Sequence, residues 1–164
     1  MSTLWGTPVH FQAVDTMRRR ATDRPRAGGR RSALATNVYL VSRVLLGAMF
    51  VLFGVNGFVM FMPSPPAIPQ EAMTFFGMIM TTHFSYLVFG AQLIAGLLVL
   101  FNRYMPLAIV TLAAVLANIW AFHITMYPAG IFPMPIIATV LWFTVAWSIR
   151  SSFAPLLAMK VEAR

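Results

Sequence analysis

The chain has 164 residues, 59% apolar and 10% charged, with 12 Lys plus Arg against 4 Asp plus Glu and a formal net charge of +8. Soluble domains average roughly 45–50% apolar and about 25% charged residues, so polar surface here is too scarce to face water all round, and the surrounding solvent is read as lipid. The cations cluster away from the apolar stretches, which excludes a nucleic-acid-binding domain, and the absence of cysteine excludes disulfide frameworks, thiolate metal sites and Cys nucleophiles.

Residues 1–36 read as a basic cytoplasmic arm carrying Arg18, Arg19, Arg20, Arg24, Arg26, Arg30 and Arg31, with Pro25, Gly28 and Gly29 as local breakers. No apolar periodicity is sustained there; Thr7 and Pro8 open at most one short interfacial helix running to about Ala21. The arm has two readings. Juxtamembrane arginines attract anionic lipid at about 1 kcal/mol each, with no partner required, or the arm docks on an acidic surface of a neighbouring subunit.

The transmembrane domain is expected over 37–150, with spans near 38–62, 84–101, 105–126 and 134–149. A hydrocarbon core of about 30 Å needs about 20 apolar residues in a helix, which the first run supplies. That run ends in Pro63-Ser64-Pro65-Pro66 rather than a small-residue site, which argues against a cleaved signal peptide. Gln70 to His83 follows as a short amphipathic helix with Glu71 in its first turn. Met73, Phe76, Met80 and Phe84 recur at helical spacing, as in a helix lying in the membrane interface. Asn102-Arg103-Tyr104 reverses the chain between the second and third spans, and Pro106 stands in a first turn where a missing N–H costs little. Residues 151–164 form a short basic tail.

All 12 cations fall in the arm with Arg43, at Arg103, or at Arg150, Lys160 and Arg164, whereas 63–83 and 127–134 hold none. Four spans then place both termini on the cytoplasmic side of an inner membrane by the positive-inside rule. Tyr39, Tyr104 and Trp147 mark the inner interface, and Tyr86 and Tyr127 the outer one. The fold expected is an all-α membrane protein, a four-transmembrane-helix bundle with a short interfacial helix between its first two spans.

Strongly polar intramembrane side chains are few: Asn56, Gln92, Asn118 and His123, with Thr139 as a weaker partner. At 1.5 Å per residue, His123 is shallow and the others lie roughly 9–12 Å below the outer end. One reading is a pocket in which amides and imidazole orient a quinone or other lipid-like molecule by hydrogen bonds to its carbonyls, with a pigment at the helix surface, ligated by His123, as a lesser one. The other, which the residues favour, is interhelical glue. No metal site is expected, since His123 has only the interfacial His83 and Glu71 for company. A structural histidine near Trp120 and Tyr127 accounts for it. Gly47 and Gly54, seven apart on one face, with Gly90, Ala91, Ala95 and Gly96, predict close packing of the first span on the second.

The stretches Arg43-Val-Leu-Leu-Gly47, Phe53-Gly54-Val-Asn56-Gly57-Phe58, Phe61-Met-Pro63-Ser-Pro65-Pro66, Asn102-Arg103-Tyr104-Met-Pro106-Leu-Ala108 and Asn118-Ile-Trp-Ala-Phe122-His123 with Pro128 resemble the DoxX-like family over about 38–150. The resemblance implies a four-helix membrane fold and a link to thiosulfate:quinone oxidoreductase subunits and membrane oxidoreductase assemblies. Many relatives carry Lys where Gly57 stands and Glu where Gln92 stands, so a buried ion pair of theirs is missing here. The expectation that follows is a non-catalytic accessory subunit of a larger bacterial membrane complex, for respiratory or photosynthetic electron transfer, docked by helix faces and the arm. The alternative is a quinone-interacting oxidoreductase subunit using Asn56, Gln92, Asn118 and His123.

Overall fold

A computed structural model describes residues 27–63 and 67–157, except the side chains of 27–31 and 156–157. Five α-helices and two 3-10 segments run along these residues, with no strand among them. α1 spans Ala27–Val59, α2 Gln70–Thr81, α3 Ser85–Leu100, α4 Met105–Thr125 and α5 Met134–Ser148; the 3-10 segments are Pro128–Ile131 and Arg150–Leu157. By contacts the chain divides into Met1–Thr36 and Asn37–Arg164. In the first unit, Thr36 Oγ1 donates to Ser32 O within the early turns of α1.

Gly28 and Gly29, expected to break the chain, lie inside α1. Each costs a helix about 0.5–1 kcal/mol relative to Ala, a small debit at the end of a 33-residue helix. Arg18, Arg19, Arg20, Arg24 and Arg26, with the expected short helix before them, lie outside the described residues; Arg30 and Arg31 fall in α1, their side chains outside the description.

α1 stops three residues before the expected boundary. Met60 turns to φ 50°, and Asn56 Oδ1 accepts a 2.7 Å hydrogen bond from Met62 N, satisfying a donor the helix can no longer serve. α2 begins after Pro69, with Glu71 in its first turn where the helix dipole favours an anion. His83, at φ 60°, sits in the break between α2 and α3, whose axes differ by 87°. The α3–α4 turn is tight, with Asn102 and Tyr104 both left-handed at φ 56° and 47°.

Residues Ser32–Val59 of α1 and the whole of α4 are long and apolar enough to cross a membrane; a third span results if the bent α2–α3 pair is one. The four-span expectation differs because α3 has 16 residues and α5 has 15. At 1.5 Å per residue these rise about 24 and 22 Å, below the roughly 30 Å of a hydrocarbon core.

The buried core joins Leu46 and Phe50 of α1, Ala95 and Val99 of α3, six residues of α4 from Met105 to Leu116, and Ala138 and Val145 of α5. α1 and α3 meet backbone to backbone: a Cβ on Gly54 would stand 2.8 Å from Leu93 N, and one on Gly96 2.9 Å from Val51 N. The expected glycine seam is therefore present, although Gly90 takes no part, with nothing within 4 Å of its Cβ position. Trp142 Nε1 donates to Ile109 O at 2.9 Å, tying α5 to α4. Ile136, Ile137, Val140, Phe143 and Trp147 leave α5 with an exposed apolar surface, the sort of face lipid covers.

At the end where α3 stops, Arg43 Nη1 donates to Val99 O at 2.9 Å and Leu100 O at 2.7 Å. A guanidinium there answers Leu100 O, left open at a helix C-terminus, adds to the Asn102 N–H on Val99 O, and meets the negative end of the helix dipole. Tyr39 donates its hydroxyl to Asn102 Oδ1 at 2.9 Å beside it.

Candidate functional site: two apolar clefts with a shared polar wall

Two clefts of about 490 Å³ each lie toward the ends of the helices where α3 begins and α4 finishes. The first is walled by Phe75 and Phe76 of α2, Gln92 of α3, and Asn118, Phe122 and His123 of α4. The second is walled by Phe50 and Phe53 of α1, Gln92, His123, Tyr127 and Pro135. Three residues, Gln92, Ile119 and His123, stand on both. No charged side chain lines either cleft among the described residues, a composition suited to a lipid-like guest held by a few polar contacts.

α2 closes the first cleft because the 87° break lays it across the bundle rather than along it. Phe75 meets Phe122 with ring centroids 5.9 Å apart, and Phe76 meets Phe89 at 6.2 Å. The break is braced by His83 stacked on Tyr86 at 5.6 Å, and Tyr86 in turn on Phe58 at 5.8 Å.

The four expected polar residues have separate fates. Gln92 is 6% exposed, and its amide forms no hydrogen bond with any described residue. Unlike Arg43 Nε, the amide atoms of Gln92 are not closed off from the clefts, so they stand open to a guest there. Asn118 is exposed on the first cleft, its Nδ2 donating to Ala114 O at 2.9 Å and its Oδ1 left open. His123 places Nδ1 2.8 Å from Ile119 O; a carbonyl only accepts, so Nδ1 carries the proton and Nε2 presents a lone pair. Asn56 lines neither cleft and serves the end of α1 instead.

Interhelical bonding by these residues, the favoured expectation, is not what the helices use. Gln92, Asn118 and His123 make no side-chain bond to another helix among the described residues. The side-chain to side-chain bond between α4 and α5 runs instead from Trp120 Nε1 to Thr139 Oγ1 at 2.9 Å, with Thr139 itself donating to Pro135 O at 2.7 Å. Trp120, expected beside His123, is thus occupied elsewhere, while Tyr127 stacks on His123 at 6.0 Å as expected.

Phe76 was expected on the membrane-interface face of its helix rather than in a cleft, and neither Phe75 nor the approach of Gly130 stood out in sequence. A Cβ on Gly130 would stand 2.5 Å from the Tyr127 ring and 2.8 Å from His123 Cδ2, so the absence of a side chain lets the 3-10 turn pack on the imidazole. The signal was the proximity of a glycine to Tyr127-Pro128, open to a reading beyond a plain turn. No three His, Cys, Asp or Glu side chains converge among the described residues.

Comparison with protein-family models, curated proteins and solved structures finds no match for the chain.

Proposed function

We propose that the protein is a four-span accessory subunit of a bacterial inner-membrane complex, of the DoxX-like kind, that holds a lipid-like molecule in the outer half of its bundle. The observation that carries the binding role is Gln92, a largely buried residue whose amide has no hydrogen-bond partner among the described residues and stands on the wall common to two apolar clefts. In lipid no water replaces a missing partner, so a polar group left open there favours a guest that supplies one. The quinone, pigment or other lipid-like ligands considered from sequence share the needed form, an apolar body with a small polar head. Both termini are placed in the cytoplasm on the distribution of the 12 cations. Spanning by the short α3 and α5 is reconciled with bilayer thickness through local thinning and the segments that flank them. The arm, with Arg18 to Arg31, is assigned to docking on neighbouring subunits or anionic lipid.

The test is purification in mild detergent, solvent extraction, and mass spectrometry of what copurifies. A stoichiometric lipid-like molecule present in the wild type and lost from Gln92→Leu supports binding. An equal content in both removes Gln92 from it. Neighbouring subunits recovered in the same preparation support the accessory role, and a chain that is always recovered alone from its native membrane counts against it.

A second reading, a quinone-interacting oxidoreductase subunit, is favoured by one observation: His123 stands on the same shared wall with Nε2 open. Under that reading His123→Leu abolishes quinone-dependent turnover of the assembled complex while assembly persists, and unchanged turnover eliminates it.

A further inference from the structure

We infer that the head group these clefts accept is a hydroxyl donor, a phenol-type or alcohol-type O–H on an apolar body, in preference to a molecule offering only carbonyl or ether oxygens. The inference rests on the binding role proposed above and specifies its chemistry. It also departs from the expectation that the polar residues orient carbonyls, because the most constrained polar atom on the shared wall is an acceptor, His123 Nε2.

His123 decides the preference. Its Nδ1–H is held by Ile119 O at 2.8 Å, so the neutral ring has one tautomer and Nε2 can only accept. Nε2 has no partner among the described residues. The ring is fixed between the T-shaped contact with Phe122 at 5.2 Å and the stack with Tyr127 at 6.0 Å, which limits its freedom to flip and offer N–H instead. On the first cleft Asn118 spends an Nδ2 proton on Ala114 O, leaving Oδ1 as a second open acceptor. Gln92 supplies both a donor and an acceptor on the common wall, since its amide has no hydrogen bond among the described residues.

A hydroxyl matches this set. It gives its proton to an acceptor such as His123 Nε2 and takes a hydrogen bond from the Gln92 amide through its oxygen. A carbonyl or ether oxygen uses only the amide, leaves His123 Nε2 unmet, and brings lone pair toward lone pair. In a lipid-filled cleft no water corrects the mismatch, so a site with an open acceptor discriminates against a guest without a proton to give. No covalent or redox step is implied.

Two sources share this chemistry, an aromatic hydroxyl as in a reduced quinone-type ring and an aliphatic hydroxyl as in a long-chain alcohol. The full chain in detergent micelles is titrated with dodecylphenol against its methyl ether, and with dodecan-1-ol against its methyl ether, following intrinsic tryptophan emission. Separately, the imidazole nitrogens of ¹⁵N-histidine-labelled protein are observed by NMR, with His123 assigned by its loss in His123→Phe. One hydroxyl compound is expected to bind about tenfold tighter than its ether, the size of one net hydrogen bond. The preferred pair tells aromatic from aliphatic guests. His123→Phe should reduce the preference to about twofold or less, and His123→Gln, which keeps an acceptor, should retain part of it. The His123 Nε2 resonance should begin as an unprotonated nitrogen and shift on addition of the hydroxyl compound alone. Equal affinity of hydroxyl and ether in both pairs, or an Nε2 found protonated in the resting ring, overturns the inference while leaving a binding role intact. Binding of none of the four compounds overturns both.

Discussion

Gly47 on α1 faces Gly96 on α3 so closely that a Cβ on Gly47 would stand 3.0 Å from the Gly96 carbonyl oxygen and 2.8 Å from Leu100 N. The obstructing atoms are backbone, which cannot swing aside as a side chain does. Replacing either residue by Ala must therefore push two helices apart over a core in which Leu46, Phe50 and Val99 are closed to solvent. Overpacking of this kind costs about 1–3 kcal/mol. Gly77 on α2 is the control, with nothing within 4 Å of its Cβ position; Gly77→Ala should gain about 0.5–1 kcal/mol from helix propensity. Thermal unfolding in detergent should move down for Gly47→Ala and Gly96→Ala, and hold or rise for Gly77→Ala.

That seam was legible in sequence because small residues at positions 47 and 54 leave a period-seven mark on one helix face. The α3–α4 reversal was equally legible, since three polar residues between apolar runs leave no other route. Arg43 stood out only as a cation in an apolar stretch; that it caps the carbonyls of a helix 56 residues away is a long-range relationship with no local pattern. The candidate site was half legible. Polarity in an apolar helix marked Gln92, Asn118 and His123, but the same criterion also admitted Asn56, whose role depends on where α1 stops. Which amides would bond across helices was illegible as well, because helix rotation decides it: Trp120 and Thr139 pair, while Gln92 faces the clefts.

Arg43 offers a second prediction. Its Nη1 serves two carbonyls, and its Nε is buried without a partner, so part of the guanidinium's desolvation is uncompensated. Hydrogen bonds to a charged group are worth about 1.5–3 kcal/mol each, and removal leaves Leu100 O open at the end of α3, whereas Val99 O keeps the Asn102 N–H at 3.1 Å. Arg43→Met, which keeps the bulk of the stem, should destabilise the fold by about 2 kcal/mol. Arg43→Lys should recover only part, since an ammonium reproduces the charge but ends one bond short of the position of Nη1. Urea or thermal unfolding of the three proteins in one detergent ranks them, and wild-type stability in Arg43→Met would contradict the capping role.

Trp120 and Thr139 provide a pair for a double-mutant cycle. Trp120→Phe removes the donor and Thr139→Val the acceptor, and each alone leaves a polar atom or a gap behind. Interhelical side-chain bonds in membrane proteins average about 0.6 kcal/mol, so the coupling energy should lie near that value. A coupling indistinguishable from zero would mean that α4 and α5 are held without this bond, leaving the Trp142 donation to Ile109 O as their polar tie.

Gly130 predicts an effect on the site from a residue that does not line the polar wall. A valine there must displace the Tyr127 ring, 2.5 Å from the Cβ position, and the His123 ring at 2.8 Å. The His123 imidazole ¹⁵N signals should therefore move in Gly130→Val, and should stay in place in Gly90→Ala, whose Cβ position is open. Unmoved His123 signals in Gly130→Val would show that the turn yields instead of the ring.

The number of spans can be read directly, because the chain has no cysteine and any introduced thiol is unique. Single substitutions Ala67→Cys, Tyr104→Cys, Ala129→Cys and Ser151→Cys place probes before α2, before α4, before α5 and after α5, each at an exposed position. With four spans, positions 67 and 129 react with a membrane-impermeant maleimide from outside intact cells, while 104 and 151 react only after permeabilisation. If α2 and α3 form one span and α5 lies along the surface, position 151 instead joins 67 and 129. If only α1 and α4 cross, 104 joins 67 on one side. The decisive probe is Ser151→Cys: α5 rises only about 22 Å, yet the proposed topology puts Arg150, just beyond it, on the side of Arg43 and Arg103 by the positive-inside rule. Protection of position 151 in intact cells is the expected outcome, and labelling there from outside would remove α5 from the spans.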